Sequence, residues 1–407
     1  MTATESDGAA TLSPAALSPG ARRRNLVAIV ATMTVASLTY GMGFPLLSLV
    51  LANQGTSSEL IGLNAAVPSV AVLLVAPFAS RLMRAHGPAL PVLVALPAMA
   101  VIYLLLPTFP NVYAWFPLRF LMGVAGSIMW ITGEAWINQV AGDHQRGRVV
   151  ALYSMAVAAG YSLGPLVLTL VGSRGWTPFL IASALTALAA LPSLMVLREA
   201  PKLGGRPSVG PLGYLRAAPA AMCIAGLYAA IDGMVLSFLP LYGIELGQSE
   251  VAMLALVTLL GIGGIVGQLP IGWLADRMDR RRLVISCTLA LIVGALAIPA
   301  VLGARPWEWA HFLAFGAVLG GLYTLGMVQL GQRFKGADLA SASAAFGFMW
   351  GLGMMAGPAL GGFAMRAAGP HGLIGAILLL LAAFLPVAVW GWGKRSAGAP
   401  HRPYRDD

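Results

Sequence analysis

Long apolar stretches constrain the fold of this chain more than any other feature. Of its 407 residues, 58% are hydrophobic and only 10% are charged, whereas soluble domains are roughly half apolar and a quarter charged. A helix of about 20 apolar residues spans the hydrocarbon core of a bilayer. The stretches do not alternate as barrel strands do, and a helix is the other structure that satisfies the backbone in lipid. The sequence therefore predicts an all-α membrane protein with twelve spans, at about 25–52, 58–82, 88–106, 113–140, 149–171, 177–197, 218–246, 250–275, 283–302, 307–332, 339–366 and 371–393.

The basic residues lie almost entirely on one side of the predicted membrane. If the amino terminus is cytoplasmic, 21 of the 25 Lys and Arg residues fall in cytoplasmic segments. Cytoplasmic loops of membrane proteins carry this excess of positive charge. We therefore predict a multi-pass protein of the inner (plasma) membrane with both termini in the cytoplasm. Because topology explains the net charge of +10, we expect the lipid bilayer and not nucleic acid as a partner.

The chain contains an internal repeat. A shift of 193 residues places Pro77 on Pro270, Gly123 on Gly316, and Trp130 on Tyr323. The same shift places Gly160, Gly164 and Pro165 on Gly353, Gly357 and Pro358. Glycine and proline mark positions where helices approach closely or bend, so this register indicates two related halves. Two halves with the same orientation can rock about a site near the middle of the membrane, which predicts alternating access to a small solute.

A polar segment rich in glycine and proline separates the halves. The predicted organisation is a disordered cytoplasmic tail at 1–24, a six-helix half at 25–197, a cytoplasmic linker at 198–217, a second six-helix half at 218–393 and a cytoplasmic tail at 394–407.

A dense cluster of charge lies between the eighth and ninth spans, in the sequence GWLADRMDRRR. This stretch resembles the cytoplasmic loop signature of the major facilitator superfamily, with Gly272, Asp276, Arg277, Arg280 and Arg281 at the signature positions. The first-half copy keeps Arg84 but has Met83 where the aspartate would lie. The resemblance covers about 25–393 and implies twelve helices in two pseudo-symmetric six-helix bundles.

The resemblance also implies a role for this loop. Asp276 would face the start of the eleventh span, near Leu339, and would latch the cytoplasmic side closed. A carboxylate is favoured near a helix amino terminus by the helix dipole. The alternative for the arginines is that they only enforce topology, but topology does not explain Asp276 or Gly272.

Three further segments resemble family signatures. The residues Gly160, Gly164 and Pro165, with Gly353, Gly357 and Pro358, are similar to the glycine and proline pattern of the family's antiporter motif. Close helix packing with a proline bend explains them equally well. Arg119 and Gly123 are similar to an RxxQG pattern in which Met122 replaces glutamine. The segment around Glu134, Trp136 and Asn138 resembles the YcaD-like bacterial subgroup.

Three ionisable residues lie within spans and are candidates for substrate or proton binding, because charge in a bilayer is costly. Asp232 is the most central, and it could carry a proton, bind a cationic group of substrate, or alternate between both. Glu134 could pair with Arg81 or Arg84 as a gating group, or transfer protons. Arg119 could bind an anionic substrate, tune a nearby carboxylate, or bind backbone carbonyls.

Aromatic residues supply the remaining candidates. Tyr40, Trp130 and Tyr323 lie in spans that line the pore in the family, and aromatic walls suit amphipathic or cationic solutes. Simple packing is the alternative for each of them.

These features predict a transporter and not an enzyme. We expect a monomeric, proton-coupled secondary transporter that exports small amphipathic or cationic compounds. The alternatives are a proton-coupled importer of a small metabolite, which could be anionic, and a non-transporting sensor or scaffold on a transporter fold. The sequence contains no motif for a cofactor or a metal, so we expect neither.

Overall fold

The computed structural model describes residues 18–141, 146–197, 199, 218–334 and 336–390. The predicted linker, apart from Glu199, and both chain ends at 1–17 and 391–407 lie outside the described residues. The side chain of Arg84 is also outside them.

Twelve helices form the regular structure of the described residues, and each contains a segment long and apolar enough to cross a membrane. They are α1 Pro19–Asn53, α2 Ser58–His86, α3 Ala89–Thr108, α4 Val112–Val140, α5 Arg146–Val171, α6 Thr177–Met195, α7 Pro219–Glu245, α8 Glu250–Arg277, α9 Arg280–Val301, α10 Trp307–Arg333, α11 Gly336–Ala368 and α12 Gly372–Trp390.

The first helix begins earlier than the sequence predicted. Residues 19–24, assigned to a disordered tail, form the first turns of α1. The hydroxyl of Ser18 accepts a hydrogen bond from the Ala21 amide, and Pro19 occupies the first helical position. Proline there costs nothing because its missing N–H would have had no helical partner. These local capping signals extend the helix beyond the apolar stretch.

The helices pack as two related six-helix bundles. In the first bundle α1 packs on α5, α2 on α4, and α3 on α6; the second repeats this with α7 on α11, α8 on α10, and α9 on α12. Between the bundles, α2 packs on α11, α5 on α8, and α1 on α7. The predicted fold class is confirmed. We call the side where α1 begins and α12 ends the basic side, because Arg22–Arg24, Arg277 and Arg280–Arg282 lie there. The other side is the opposite side.

Glycines bring the paired helices into backbone contact. A Cβ at Gly357 in α11 would collide with the backbone of Ala230 in α7, and one at Gly353 would collide with the Gly226 carbonyl. In lipid no hydrophobic effect drives helices together, so close packing at small residues supplies much of the attraction. The glycines therefore determine how near α7 and α11 lie.

We expect Gly357→Ala to lower the melting temperature in detergent, because the new methyl group meets immobile backbone. Gly347→Ala is the matched control, since Gly347 lies in the same helix and a Cβ there meets open space. Thermal unfolding of both purified variants checks this. Equal melting temperatures would contradict the packing role of Gly357.

Candidate functional site

Asp232 lies at the centre of α7, 13 residues after that helix begins, which is roughly 20 Å along its axis. The residue is 8% exposed. The hydroxyl of Tyr161 in α5 donates a hydrogen bond to its Oδ2 atom over 3.4 Å. Because α5 and α7 belong to different bundles, this hydrogen bond joins the two bundles at the level of the central carboxylate.

A small cavity surrounds this carboxylate. It has a volume of about 70 Å³ and is lined by α5, α7, α8 and α10, with Tyr161, Ser162, Tyr228, Asp232 and Gln268 as its polar residues. Pockets for small organic ligands are roughly 300–1,000 Å³, so this cavity is far smaller. Its size suits a few water molecules, each of which occupies about 30 Å³ in the liquid.

The glycine and proline motif of α5 places the hydrogen-bond donor. A Cβ at Gly160 or Gly164 would collide with the backbone of α1, near Thr34 and Leu38 respectively. This packing fixes one face of α5 against its own bundle. Tyr161 and Ser162 both line the cavity, and the Tyr161 ring also packs against Phe44 of α1 at 6.4 Å between centroids. The same stretch of α5 therefore packs against α1 and carries the hydrogen-bond donor to Asp232.

The repeat does not reproduce this polar pair. The shift of 193 residues relates Asp232 to Thr39, and Tyr161 to Met354. The Thr39 hydroxyl donates to the Ala36 carbonyl within its own helix. The symmetry-related position therefore has neither a carboxyl group nor a phenol, and the pair belongs to one of two otherwise similar interfaces.

Glu134 lies six residues before the end of α4 on the basic side. Its side chain is exposed, and it lies within electrostatic range of Tyr153 in α5 and Tyr323 in α10. Since Tyr323 belongs to the other bundle, the exposed Glu134 lies beside the space between the two bundles. No ion pair links Glu134 to another described residue, and the guanidinium of Arg81 lies 5.7 Å from the Phe78 ring.

Aromatic rings border this space on both bundles. Trp130 lies one turn before Glu134 in α4, and its ring packs against Tyr40 at 6.2 Å between centroids. Tyr323 packs against Tyr228 at 4.8 Å, and Tyr228 in turn lines the Asp232 cavity. We call the space bordered by Trp130, Glu134, Tyr228 and Tyr323 the interbundle gap.

Arg119 is enclosed within the first bundle. The residue is 4% exposed, and its guanidinium donates to the carbonyls of Asn64 and Ala65 in α2. It also lies 5.8 Å from the Phe44 ring. The neighbouring cavity, which Tyr40 also lines, measures about 10 Å³, enough for one water at most. Three roles were predicted for Arg119, and the one observed in this structure is the binding of backbone carbonyls.

The charged loop between α8 and α9, on the basic side, is exposed. Asp276 is exposed, and no hydrogen bond or ion pair connects it to the described residues near Leu339. Arg277 stacks on Trp273 of its own helix at 3.7 Å, and Arg280 donates to the Ala275 carbonyl. The neighbouring Asp279 caps α9 by accepting from the Arg282 amide at 2.9 Å. Among the described residues of α11, none forms the predicted contact with Asp276 by a hydrogen bond or ion pair in this conformation.

The two bundles are instead closed on the opposite side. A Cβ at Gly362 in α11 would collide with the Ser58 carbonyl in α2, and Glu59 pairs with Arg366 at 3.5 Å. Arg366 is two-thirds exposed, and surface pairs of this kind contribute only about 0–1 kcal/mol. Backbone packing at glycine therefore holds the opposite side closed more firmly than the ion pair does.

An apolar groove of about 690 Å³ lies between α2, α3 and α4. Val94 and Val101 in its wall are exposed on the outside of the first bundle. The groove faces the position of lipid, away from the interbundle gap and from Asp232. We do not assign it to the site.

Two site residues escaped the sequence predictions. Tyr161 directly follows Gly160, so its side chain leaves the helix about 100° around the axis from that glycine. Tyr228 lies four residues before Asp232 and therefore shares its face of α7. Both could have been found from helical spacing. Within the described residues there is no group of three His, Cys, Asp or Glu side chains that could hold a metal.

Comparison with known proteins agrees with this architecture. The family profile of the Major Facilitator Superfamily matches residues 29–310 and 221–406. An uncharacterized MFS-type transporter of Bacillus subtilis (strain 168), YfkF, is 25% identical over 388 residues, covering 92% of this chain and 97% of the relative. The crystal structure of the nucleoside transporter NupG has a TM-score of 0.74 at 14% identity, over 90% of this chain and 97% of that one. The structure of a D-xylose-proton symporter has a TM-score of 0.66 at 15% identity, over 91% and 96% respectively. The chain is a multi-pass membrane transporter that belongs to the Major Facilitator Superfamily.

Proposed function

We propose that this chain is a proton-coupled secondary transporter of the bacterial inner membrane, acting as a monomer by alternating access. The proposed cargo is a small amphipathic or cationic compound that leaves the cell. One observation carries the proposal, namely the buried carboxyl group of Asp232 hydrogen-bonded across the bundles by Tyr161. An ionisable group in the middle of a membrane is costly, and it is retained where ions or protons are handled.

The excess of arginine on the basic side supports its assignment to the cytoplasm. With that assignment, both termini are cytoplasmic. The conformation described above is then closed to the outside, and the interbundle gap faces the cytoplasm. A compound could enter the gap from within the cell, as export requires.

Protonation of Asp232 would change the contact between the bundles. An ionised carboxylate accepts a hydrogen bond from Tyr161 more strongly than a neutral carboxyl group does. Loss of that charge weakens one interaction between α5 and α7. The proton at Asp232 can therefore bias the equilibrium between the two open states, which is what coupling requires.

The charge and shape of the gap favour a cationic cargo over an anionic one. Glu134 is exposed there among aromatic rings, and the faces of such rings attract cations. Arg119 is enclosed and already bound to carbonyl groups, so it offers no open site to an anion. The cavity retained at Asp232 also argues against a scaffold that has lost transport.

Import is the second candidate. Solved structures with this fold include a D-xylose-proton symporter and a nucleoside transporter. Their low identity supports the fold alone, so direction has to be measured for this chain.

The proposed latch would act in the state that is closed to the cytoplasm, which is not the conformation described above. A Cβ at Gly272 would have only the Thr324 methyl group nearby, at 3.9 Å, so this state does not require glycine there. Asp276 is likewise exposed. We infer that both act when the cytoplasmic side closes and the α8–α9 loop approaches α11, with Arg277, Arg280, Arg281 and Arg84 beside them.

The first test is substrate-driven proton movement in proteoliposomes that contain a pH-sensitive dye. Native protein challenged with organic cations should move protons, and Asp232→Asn should abolish this movement by removing the titratable group. Glu245→Gln is the control, because Glu245 ends the same helix and is exposed. Full proton flux in Asp232→Asn would exclude Asp232 as the coupling site.

Direction is measured with the same vesicles. Export predicts that an inward-directed proton gradient drives cations out of right-side-out vesicles. Cation accumulation under that gradient would establish the import alternative.

For the latch, we expect Asp276→Asn to slow transport severalfold without changing the melting temperature, because Asp276 is exposed and forms no hydrogen bond or ion pair with the described part of α11 in the present state. Asp279→Asn should do the reverse, since loss of the α9 cap costs about 1 kcal/mol of stability. Transport rates and thermal unfolding of the two variants separate these effects. An unchanged transport rate in Asp276→Asn would remove the latch.

On the opposite side, we expect Gly362→Val to prevent closure, because its side chain would meet the α2 backbone. Glu59→Gln should shift the equilibrium by no more than about fivefold, as expected for an exposed ion pair. Spin labels in the α1–α2 and α11–α12 loops report the separation of the bundles. A larger separation in Glu59→Gln than in Gly362→Val would reverse this ranking.

A further inference from the structure

The apolar groove between α2, α3 and α4 lies on the outer surface of the first bundle. Its volume of about 690 Å³ is within the roughly 300–1,000 Å³ of sites that hold organic ligands. Ala95, Ala98 and Ala125 are the smallest side chains of its lining, and Val101 and Leu121 near them are about half exposed. The alanines leave space that larger side chains border, so this part of the surface is concave.

The groove follows α3 over the depth of one leaflet of the membrane. Its lining includes Leu90, one residue after α3 begins on the basic side, and continues past Val101. The distance between these two positions is roughly 16 Å along the helix axis. Half of a hydrocarbon core of about 30 Å is roughly 15 Å. An acyl chain that lies along α3 would therefore remain in the groove from the membrane surface to its middle.

The basic-side end of the groove carries two basic side chains. Among the described lining residues, His86 is the one with a polar side chain, and it ends α2 on the basic side. His86 is exposed, and so is Arg81 five residues earlier in the same helix. An imidazole N–H can donate to a phosphate oxygen, and arginine at a membrane surface attracts anionic headgroups. None of the described lining residues is acidic, so this end complements a phosphate group.

The second half of the chain does not repeat the shape of the groove. The shift of 193 residues relates Ala98 to Leu291 and Ala125 to Val318. Larger side chains therefore occupy two positions at which alanine leaves space in the first half. Leu291 is fully buried, so its side chain fills the corresponding volume.

The charge at the end of the groove is not repeated either. The same shift relates His86 to Asp279 and Arg81 to Leu274. Asp279 is acidic and caps α9 by accepting from the Arg282 amide. An acidic residue there would repel an anionic headgroup. The space for a chain and the basic end thus occur together in one half and are both replaced in the other.

We propose that the apolar groove binds one acyl chain of an anionic phospholipid from the leaflet on the basic side, with the lipid phosphate at His86 and Arg81. The groove is on the outer surface of a chain that spans the membrane, so lipid reaches it without passing through the protein. Burial of the methylene groups supplies affinity, and the basic side chains select the charge of the headgroup. The inference depends neither on the transported compound nor on proton coupling.

The first experiment measures lipid binding to the purified full-length protein in detergent. Thermal unfolding at increasing lipid concentration yields a dissociation constant, because a ligand of the folded state raises its stability. Phosphatidylglycerol should raise the melting temperature, and phosphatidylcholine with the same acyl chains should bind about fivefold more weakly, as expected for loss of an exposed ion pair. Glycerol phosphate has the phosphate without the chains and should cause no shift.

The second experiment repeats the phosphatidylglycerol titration with variants that carry residues of the second half. Ala98→Leu combined with Ala125→Val fills the groove and should weaken binding about tenfold, which corresponds to lost burial of about two methylene groups. His86→Asp should weaken it about fivefold. Ala290→Leu on the exposed face of α9 and Arg333→Asp at the exposed end of α10 are the controls, and both should bind as the native protein does.

Each part of the proposal has an outcome that overturns it. Native affinity in the filled variant would exclude the groove as the site of the acyl chain. Equal dissociation constants for the two lipids, or an equal loss in His86→Asp and Arg333→Asp, would exclude a phosphate site at the end of α2. A shift with glycerol phosphate as large as that with phosphatidylglycerol would reassign the basic end to free phosphate and overturn the lipid site.

Discussion

The hydrogen-bonding requirement of the peptide backbone in lipid governs this structure. Every span must satisfy its N–H and C=O groups internally, so each becomes a helix. Helices surrounded by lipid gain little from hiding apolar side chains from one another, and their association depends on close contact. Gly353 and Gly357 provide that contact for α7 and α11, and Gly160 and Gly164 provide it for α1 and α5. Polar residues can then be retained where the bundles meet.

The glycine motif of α5 connects packing with chemistry. Its glycines fix the helix against α1, and this orientation directs Tyr161 toward Asp232 in the other bundle. Of the two interpretations of the motif from the sequence, helix packing and coupling, the contacts of Gly160 and Gly164 with α1 support packing. The close approach of the α1 and α5 backbones and the hydrogen bond to Asp232 therefore involve the same turn of α5.

Much of the architecture could be predicted from the sequence, because span length, loop charge and a 193-residue repeat are local or periodic signals. The extension of α1 to Pro19 was missed, since capping by Ser18 is independent of hydropathy. The state of the loop at Asp276 could not be predicted, because one sequence encodes both the open and the closed state. The hydrogen-bond partners of Arg119 could not be predicted either, because only the folded bundle determines which carbonyls of α2 lie within reach of its guanidinium.

Two contacts between the bundles contain different polar groups, and this difference has a consequence for their energetics. The α5 and α7 contact holds a carboxyl group and a neutral hydroxyl, whereas the α2 and α11 contact holds an ion pair of Glu59 and Arg366 with a glycine seam. If Asp232 binds and releases a proton, as proposed, that event acts directly on the first contact and not on the second. If the two halves carried the same polar residues, a proton would bind equally well at the corresponding position in each half. Here Thr39 of α1 and Met354 of α11 occupy the positions that the repeat relates to Asp232 and Tyr161, so a proton bound at Asp232 would act in one half of the repeat alone.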